Sequence, residues 1–270
     1  MNLIYVVEGS GSAEIIIWMS KENMISMIRA REAVLGIVGG VGPIASAEFV
    51  KTIYEHDDYQ LEQELPRVLL CSDPHIPDRT EALLAGREYD LVNALTPLLL
   101  KLKDGGATDL VVCCFTMHAI FDLLPDHVSK NLISLVEIAL LEIIDKDEPH
   151  LLLCTLGSRK ALSFVCHPLW KRASKNVVMP DEKDQKKLHD IIYNVIKQDR
   201  GIGTVLPWLE SILKKYEVNS FLSGCTEIHL LVKYIKRNPD FAERIGYVDP
   251  LLSIASRWKT PIVRQLQPVG

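Results

Sequence analysis

No stretch of this 270-residue chain reaches the roughly 18 consecutive apolar residues that a membrane-crossing helix needs, so no spanning helix is expected. The first thirty residues carry Glu8, Glu14, Lys21 and Glu22 where a signal peptide has an unbroken apolar core, and the expected compartment is the cytoplasm. An excess of positive charge is missing too. Thirty Lys and Arg against 35 Asp and Glu leave a net charge of −5, which argues against a nucleic-acid or anionic-membrane partner, since both want a clustered basic face. Cysteine is sparse. The six thiols at 71, 113, 114, 154, 166 and 225 lack the dense spacing of a disulfide framework and are expected to be reduced. There is no Pro/Ser-rich linker and no low-complexity tract, and no Gly-Lys-Ser/Thr follows the glycine-rich Gly39-Gly40-Val41-Gly42-Pro43, which makes it a poor nucleotide loop.

What remains is a chain with 48% hydrophobic residues, ample for a core and long enough for one large or two medium domains. Apolar strand-like runs alternate with segments of helical spacing. Val34 to Gly40, Val68 to Ser72, Thr108 to Cys113 and Asn131 to Leu135 read as strands, with helices at Ile44 to Tyr54, Leu91 to Leu102 and His118 to Leu124. A second set runs from the strand His150 to Thr155, through a helix at Asp184 to Lys197, to the strand Val218 to Gly224 and a closing helix at Leu251 to Trp258. Such alternation predicts an α/β fold of two similar domains, each a mainly parallel sheet flanked by helices, with the active site in the cleft between them. The expected division is 34–135 plus 248–270 for the first domain and 136–247 for the second. Residues 1–33 form an N-terminal extension open to two readings. Glu14 to Met19 can be an added edge strand followed by a short helix from Lys21 to Ala33, or Gly9-Ser10-Gly11-Ser12 can mark a mobile arm.

One cluster occurs twice: Cys114-Phe115-Thr116-Met117-His118 and Cys225-Thr226-Glu227-Ile228-His229, each directly after an apolar strand-like run. A thiol therefore falls at the carboxyl end of each strand, the edge at which open parallel sheets bind ligands. Two thiols facing one cleft suit the movement of a proton from one face of a carbon to the other. An amino-acid α-hydrogen is weakly acidic, and its removal needs a desolvated base on one face and an acid of matched strength on the other. A thiolate and a thiol form such a pair, because free cysteine titrates at about pH 8.5 and a helix N-terminus or nearby donor lowers that value. Thr116, Thr226 and adjacent backbone N–H groups are placed to hold a carboxylate and the charge that develops on it.

Five places in order carry a resemblance over about residues 34 to 258. They are Gly39-Gly40-Val41-Gly42-Pro43; Ser72-Asp73-Pro74-His75-Ile76-Pro77-Asp78-Arg79-Thr80; Cys114 with Thr116 and His118; Pro180-Asp181-Glu182-Lys183-Asp184-Gln185; and Gly224-Cys225-Thr226-Glu227. The chain resembles the cofactor-independent aspartate/glutamate racemase superfamily, in its aspartate racemase branch. Glutamate racemases of the cell-wall type carry Asp-Ser-Gly after the first strand, and Ile37-Val38-Gly39 lacks it. The resemblance implies a homodimeric enzyme that takes a small amino acid, needs no cofactor or metal, and interconverts L- and D-aspartate, or glutamate. It further implies Cys114 and Cys225 as the acid/base pair. Thr116 and Thr226, with Glu227 beside them, would hold the α-carboxylate or amino group, and Gly40, Val41 and Gly42 would form the floor. Arg79 would bind the distal carboxylate through paired hydrogen bonds, with Lys197 a second, looser match. The family usually has asparagine after the first cysteine, where this chain has Phe115. That exchange removes an amide and adds an apolar ring at a substrate-binding position. It leaves open a different amino acid, or a ligand-binding relative without turnover.

Blander roles compete for the same residues. Cys71, Cys154 and Cys166 are expected as small core residues, and alternation turns Cys113 away from Cys114, into the core. His118 and His229 are expected on helix faces or behind the site, Arg79 can pair with Asp73 or Asp78, and the charges from Asp181 to Lys187 read as a solvated helix start. The two Cys-x3-His pairs admit a zinc-binding module, although that leaves the glycine-rich turn and Arg79 without a role.

Overall fold

The computed structural model describes residues 2–7, 15–20, 33–55 and 61–258. Strands β1 (Asn2–Val7) and β2 (Ile15–Ser20) pair antiparallel as a separate two-stranded sheet, so the edge strand anticipated near residue 15 exists but joins neither main sheet. The anticipated arm at 9–12 lies outside the described residues, as does the anticipated helix at 21–33 save its last residue.

Beyond this pair the chain builds two parallel sheets. The first has the order β4-β3-β5, from β3 (Val34–Gly39), β4 (Arg67–Ser72) and β5 (Asp109–Val112). The second has the order β7-β6-β8-β9, from β6 (His150–Cys154), β7 (Val177–Val178), β8 (Ser220–Gly224) and β9 (Gly246–Val248). Strands β3, β6 and β8 are buried along their whole length, which is why they read as unbroken apolar runs and not as alternating ones. Helices α1 (Pro43–Glu55), α2 (Arg79–Leu84) and α3 (Glu88–Asp104) link the strands of the first sheet. Helix α4 (Leu135–Ile143) leads into the second sheet, whose helices are α5 (Leu156–Lys160), α6 (Glu182–Ile191), α7 (Leu206–Lys215) and α8 (Ile228–Lys236), and α9 (Pro250–Arg257) closes the described chain.

Three local expectations need correction. The strand expected over Asn131 to Leu135 shrinks to a single bridge between Leu110 and Leu132, because the Ser134 side chain accepts the Glu137 N–H and caps a helix from Leu135 onward. The helix expected from His118 begins earlier, as a 3₁₀ helix over Phe115–Leu123. It stops where Pro125 forces Leu124 into an extended conformation. The helix expected over Asp184 to Lys197 is α6 followed by a π-helical turn at Ile192–Ile196, closed by Lys197 N–H on the Ile192 carbonyl at 2.8 Å.

One apolar cluster joins the two sheets. Leu35, Ile37, Val111 and Cys113 from the first sheet meet Leu152, Cys154, Leu222 and Val248 from the second, with α4 and α9 packed into the same cluster. The chain leaves the second sheet at Val248, and Asp249 caps α9, which packs against α1 and α4. Truncating a side chain in this shared core removes contacts from both sheets at once. Leu222→Ala is expected to cost about 2–5 kcal/mol, read as a lowered urea midpoint in far-UV circular dichroism; a loss under about 1 kcal/mol contradicts the shared core.

Candidate active site

The carboxyl edges of both sheets open on one cleft of about 300 Å³, part of it open to solvent, and Cys114 and Cys225 both line it. Each thiol stands at the residue where its strand has ended. Cys114 is extended and precedes the 3₁₀ helix, while Cys225 occupies the turn between β8 and α8. Among the described residues all six cysteines are free. Cys113 and Cys154 are fully buried, and burial pushes the Cys154 thiol up to about 12 and raises that of Cys113 as well. Cys71 is part-buried and Cys166 is exposed in the turns after α5, so the core role expected of Cys166 is wrong: no strand or helix carries it inward.

The loops after β3 and β8 fit closely together. Gly40 has φ +83°, and a side chain there would press within 2.2 Å of the Asp73 backbone; Gly42 has φ +140°, and a side chain there would lie 2.8 Å from Glu227 Oε1. Of the expected floor, only Val41 lines the cleft, and the glycines stand behind it so that the chain can pass. Thr226 Oγ1 donates to the Cys113 carbonyl at 3.0 Å, joining the thiol-bearing ends of β5 and β8. Cys225 Sγ donates to Glu227 Oε2 at 2.8 Å. Burial first, and the Glu227 carboxylate second, raise the Cys225 thiol well above its ordinary value.

Opposite stands a ring of hydroxyls. Thr116 Oγ1 is 2.8 Å from Ser158 Oγ and 3.2 Å from Thr155 Oγ1, which is itself 3.1 Å from Ser158 Oγ. Thr116 and Thr155 line the cleft. Arg79 is 9% exposed, and its Nη1 donates to the Pro77 carbonyl at 3.3 Å. Among the described residues it has no ion pair within 4.0 Å, so the salt bridge to Asp73 or Asp78 does not form. Burial opposes its charge, but Cys114, Asp78, Tyr193 and Glu227 outweigh that and hold the guanidinium protonated more firmly than usual.

Tyr193 and Lys197 reach the cleft from the π-helical turn and its end. The tyrosine hydroxyl donates to Asp78 Oδ2 at 3.1 Å, and Lys197 Nζ lies 4.4 Å from the tyrosine ring centre. Tyr193, Ile192 and Thr155 are lining residues that sequence reasoning missed. Tyr193 stands one helical turn before Lys197, and that spacing alone places both on one face. Thr155 ends β6 and caps α5, an end-of-strand position equivalent to that of the two thiols.

Phe115 also lines the cleft, but most of its ring is in the core, stacked on Phe164 with centroids 5.6 Å apart and planes at 16°. The histidines stand behind the site. His118 Nδ1 is 3.2 Å from the Cys114 carbonyl, and its Nε2 accepts the Leu135 N–H at 2.9 Å, which assigns the proton to Nδ1. His229 is buried between Asp249 Oδ2 at 2.6 Å and Thr52 Oγ1 at 2.9 Å. With these nitrogens engaged elsewhere, the two Cys-x3-His pairs do not converge as a zinc site. Among the described residues no group of three His, Cys, Asp or Glu is placed to hold a metal.

Residues 38–251, most of the chain, match the family model described as Asp/Glu/Hydantoin racemase. The chain belongs to this racemase family. As a member it is a racemase of the amino-acid class that works without pyridoxal phosphate. The fold agrees with solved structures of such enzymes. The aspartate racemase of Picrophilus torridus superposes with a TM-score of 0.70 at 22% identity, over 87% of this chain and 94% of that one. An aspartate racemase homologue from Pyrococcus horikoshii OT3 gives 0.59 at 19% identity, over 86% and 96%. The glutamate racemase of Francisella tularensis, solved in complex with D-glutamate, gives 0.55 at 15% identity, over 89% and 85%. Among the described residues no helix is long and apolar enough to cross a membrane.

The histidine behind Cys114 makes this turn of the racemase acid-sensitive. Burial holds His118 at about 4 against an ordinary 6.5, and a proton on Nε2 would break its bond to Leu135. A histidine whose folded pKa is depressed contributes stability above the unfolded pKa and loses it as pH falls. Between pH 6.5 and about 4 the loss is about 1–3 kcal/mol, the lower figure allowing for the solvent that still reaches the ring. Urea unfolding across that range should show this slope flattened in His118→Gln; an unchanged slope would reject the assignment.

Proposed function

We propose that this racemase interconverts L- and D-aspartate, with glutamate as a second substrate, by two-base proton transfer between Cys114 and Cys225. The single observation that supports this most strongly is that both thiols open on one cleft beside two cationic side chains and one carboxylate. An acidic amino acid carries two carboxylates and one ammonium, the complementary set. In this reading Arg79 takes the distal carboxylate through paired hydrogen bonds, with Lys197 adding positive charge from the facing wall. The Thr116 hydroxyl and the Thr226 backbone N–H hold the α-carboxylate, the Thr226 hydroxyl proton being committed to the Cys113 carbonyl; the hydroxyls of Thr155 and Ser158 orient Thr116, and Glu227 meets the ammonium.

The chemistry then needs little movement. One sulfur, as thiolate, takes the α-proton from its face of Cα; the carboxylate, held by hydroxyl donors, accepts the developing negative charge; the other sulfur delivers its proton to the opposite face. Which sulfur begins as base depends on the enantiomer bound. The reading also takes the working form to be a cytoplasmic homodimer, which light scattering and cell fractionation test. A second reading is favoured by the Phe115 ring, which offers the substrate no hydrogen bond: a less polar amino acid is then preferred, or a ligand is bound without turnover.

Chiral chromatography after incubation with each enantiomer of aspartate, glutamate, alanine and serine ranks these readings. Aspartate turnover is expected to lead. Cys114→Ala and Cys225→Ala should each lose more than about a thousandfold in kcat with unchanged thermal unfolding, and full two-way turnover in either variant would defeat the two-base reading. Arg79→Met should lower kcat/KM for aspartate roughly ten- to hundredfold, the worth of a charge-assisted contact, while affecting alanine far less. An equal loss on both substrates would remove Arg79 from distal recognition.

A further inference from the structure

The hydrogen bonding treats the two thiols differently. Cys225 Sγ donates to Glu227 Oε2 at 2.8 Å, and the Thr226 hydroxyl approaches the same oxygen at 3.3 Å. The other carboxylate oxygen, Oε1, packs against the Gly42 backbone, in space that only a glycine leaves open. Glu227 is itself 5% exposed, so its carboxylate is held in place from both sides. Cys114 Sγ has no hydrogen bond among the described residues and stands within the field of the Arg79 guanidinium. A thiolate at Cys225 would place two negative charges in contact away from water, whereas the thiol satisfies the carboxylate.

We propose that Glu227, besides meeting the substrate ammonium, keeps Cys225 as the protonated member of the pair in the free enzyme, leaving Cys114 as the base for the first substrate molecule. The proposal rests on the two-thiol reading of the cleft. In the first turnover the Cα–H bond breaks and its proton goes to Cys114 Sγ; the electron pair left on Cα takes the proton of Cys225 Sγ. The enzyme is then left with a Cys114 thiol and a Cys225 thiolate beside Glu227. That form returns to the resting one when Cys114 gives its proton to water and Cys225 takes one up, or when the opposite enantiomer binds and runs the transfer backwards. The free enzyme is thereby set to receive first the enantiomer whose α-hydrogen faces Cys114. Other titratable groups facing this pair are Arg79 from α2, Cys113 at the end of β5, and Tyr193 and Lys197 from the π-helical turn.

The test is iodoacetamide labelling of the intact protein from neutral to alkaline pH, with each cysteine followed by mass spectrometry. In the wild type Cys114 should label well before Cys225 at neutral pH. In Glu227→Gln, which keeps the side-chain shape and removes the charge, the Cys225 profile should move to lower pH and its neutral-pH rate should rise about tenfold or more, one pKa unit being a tenfold change in thiolate. The Cys114 profile should move much less. A purely structural role for Glu227 would change neither profile. A Cys225 profile unmoved in folded Glu227→Gln overturns the proposal, and so does wild-type Cys225 labelling as fast as Cys114 at neutral pH, whether or not the variant folds. A shifted profile in a protein that racemises none of the amino acids tried would support the proposal while counting against the substrate reading, so the two failures are distinguishable.

Discussion

The hydrogen bond from Thr226 Oγ1 to the Cys113 carbonyl ties together the two strand ends that carry the thiols, and the geometry of the cleft depends on that tie. It is buried, so solvent does not compete for it, and losing its donor would leave a carbonyl unsatisfied at a cost of roughly 1–3 kcal/mol. Beneath it, the core shared by the two sheets keeps β5 and β8 from moving independently. The hydroxyl ring at Thr116, Thr155 and Ser158 repeats the device from the other side, joining the turn after Cys114 to the end of β6. Each thiol is therefore held by a threonine beside it that reaches the opposite sheet.

Burial alone works against a thiol that must ionise. It raises Cys113, Cys154 and Cys225 alike, and each unit of pKa represents about 1.4 kcal/mol. What separates the core cysteines from the two proposed to carry the proton is the company in the cleft. Cys113 and Cys154 pack into the shared apolar cluster, whereas Cys114 and Cys225 line the cleft with Arg79, Glu227 and the hydroxyls. The same low dielectric that penalises the thiolate strengthens its attraction to the guanidinium and its repulsion from the carboxylate. On the proposed reading, this is what sets Cys225, beside the carboxylate, apart from Cys114, beside the guanidinium.

Much of this was legible in the sequence, for stated physical reasons. Strands buried on both faces announce themselves as short apolar runs, so β3, β6 and β8, and the cysteines that follow β5 and β8, could be read directly. Arg79, Thr116, Thr226 and Lys197 came from motif order and do reach the cleft. Features set by long-range packing were not legible. The bridge at Leu132 depends on the Ser134 cap, and the early 3₁₀ start at Phe115 has no periodic signature in nine residues. The π-helical turn that carries Tyr193 looks like ordinary helix in the sequence. Phe115 reads as a lost amide, and only the structure shows that most of its ring has gone into a stack with Phe164. The retreat of Gly40 and Gly42 behind Val41 follows from the approach of Asp73 and Glu227, which are distant in the chain.

The central claim is that one thiol removes the α-proton and the other returns a different one. Proton NMR in D2O, starting from a single enantiomer of aspartate and read at early conversion with chiral separation of the two isomers, tests it most directly. Two bases predict deuterium at Cα of the inverted product while the remaining substrate stays protiated. Deuterium appearing equally in both isomers would show a single base working on both faces, and would contradict the account.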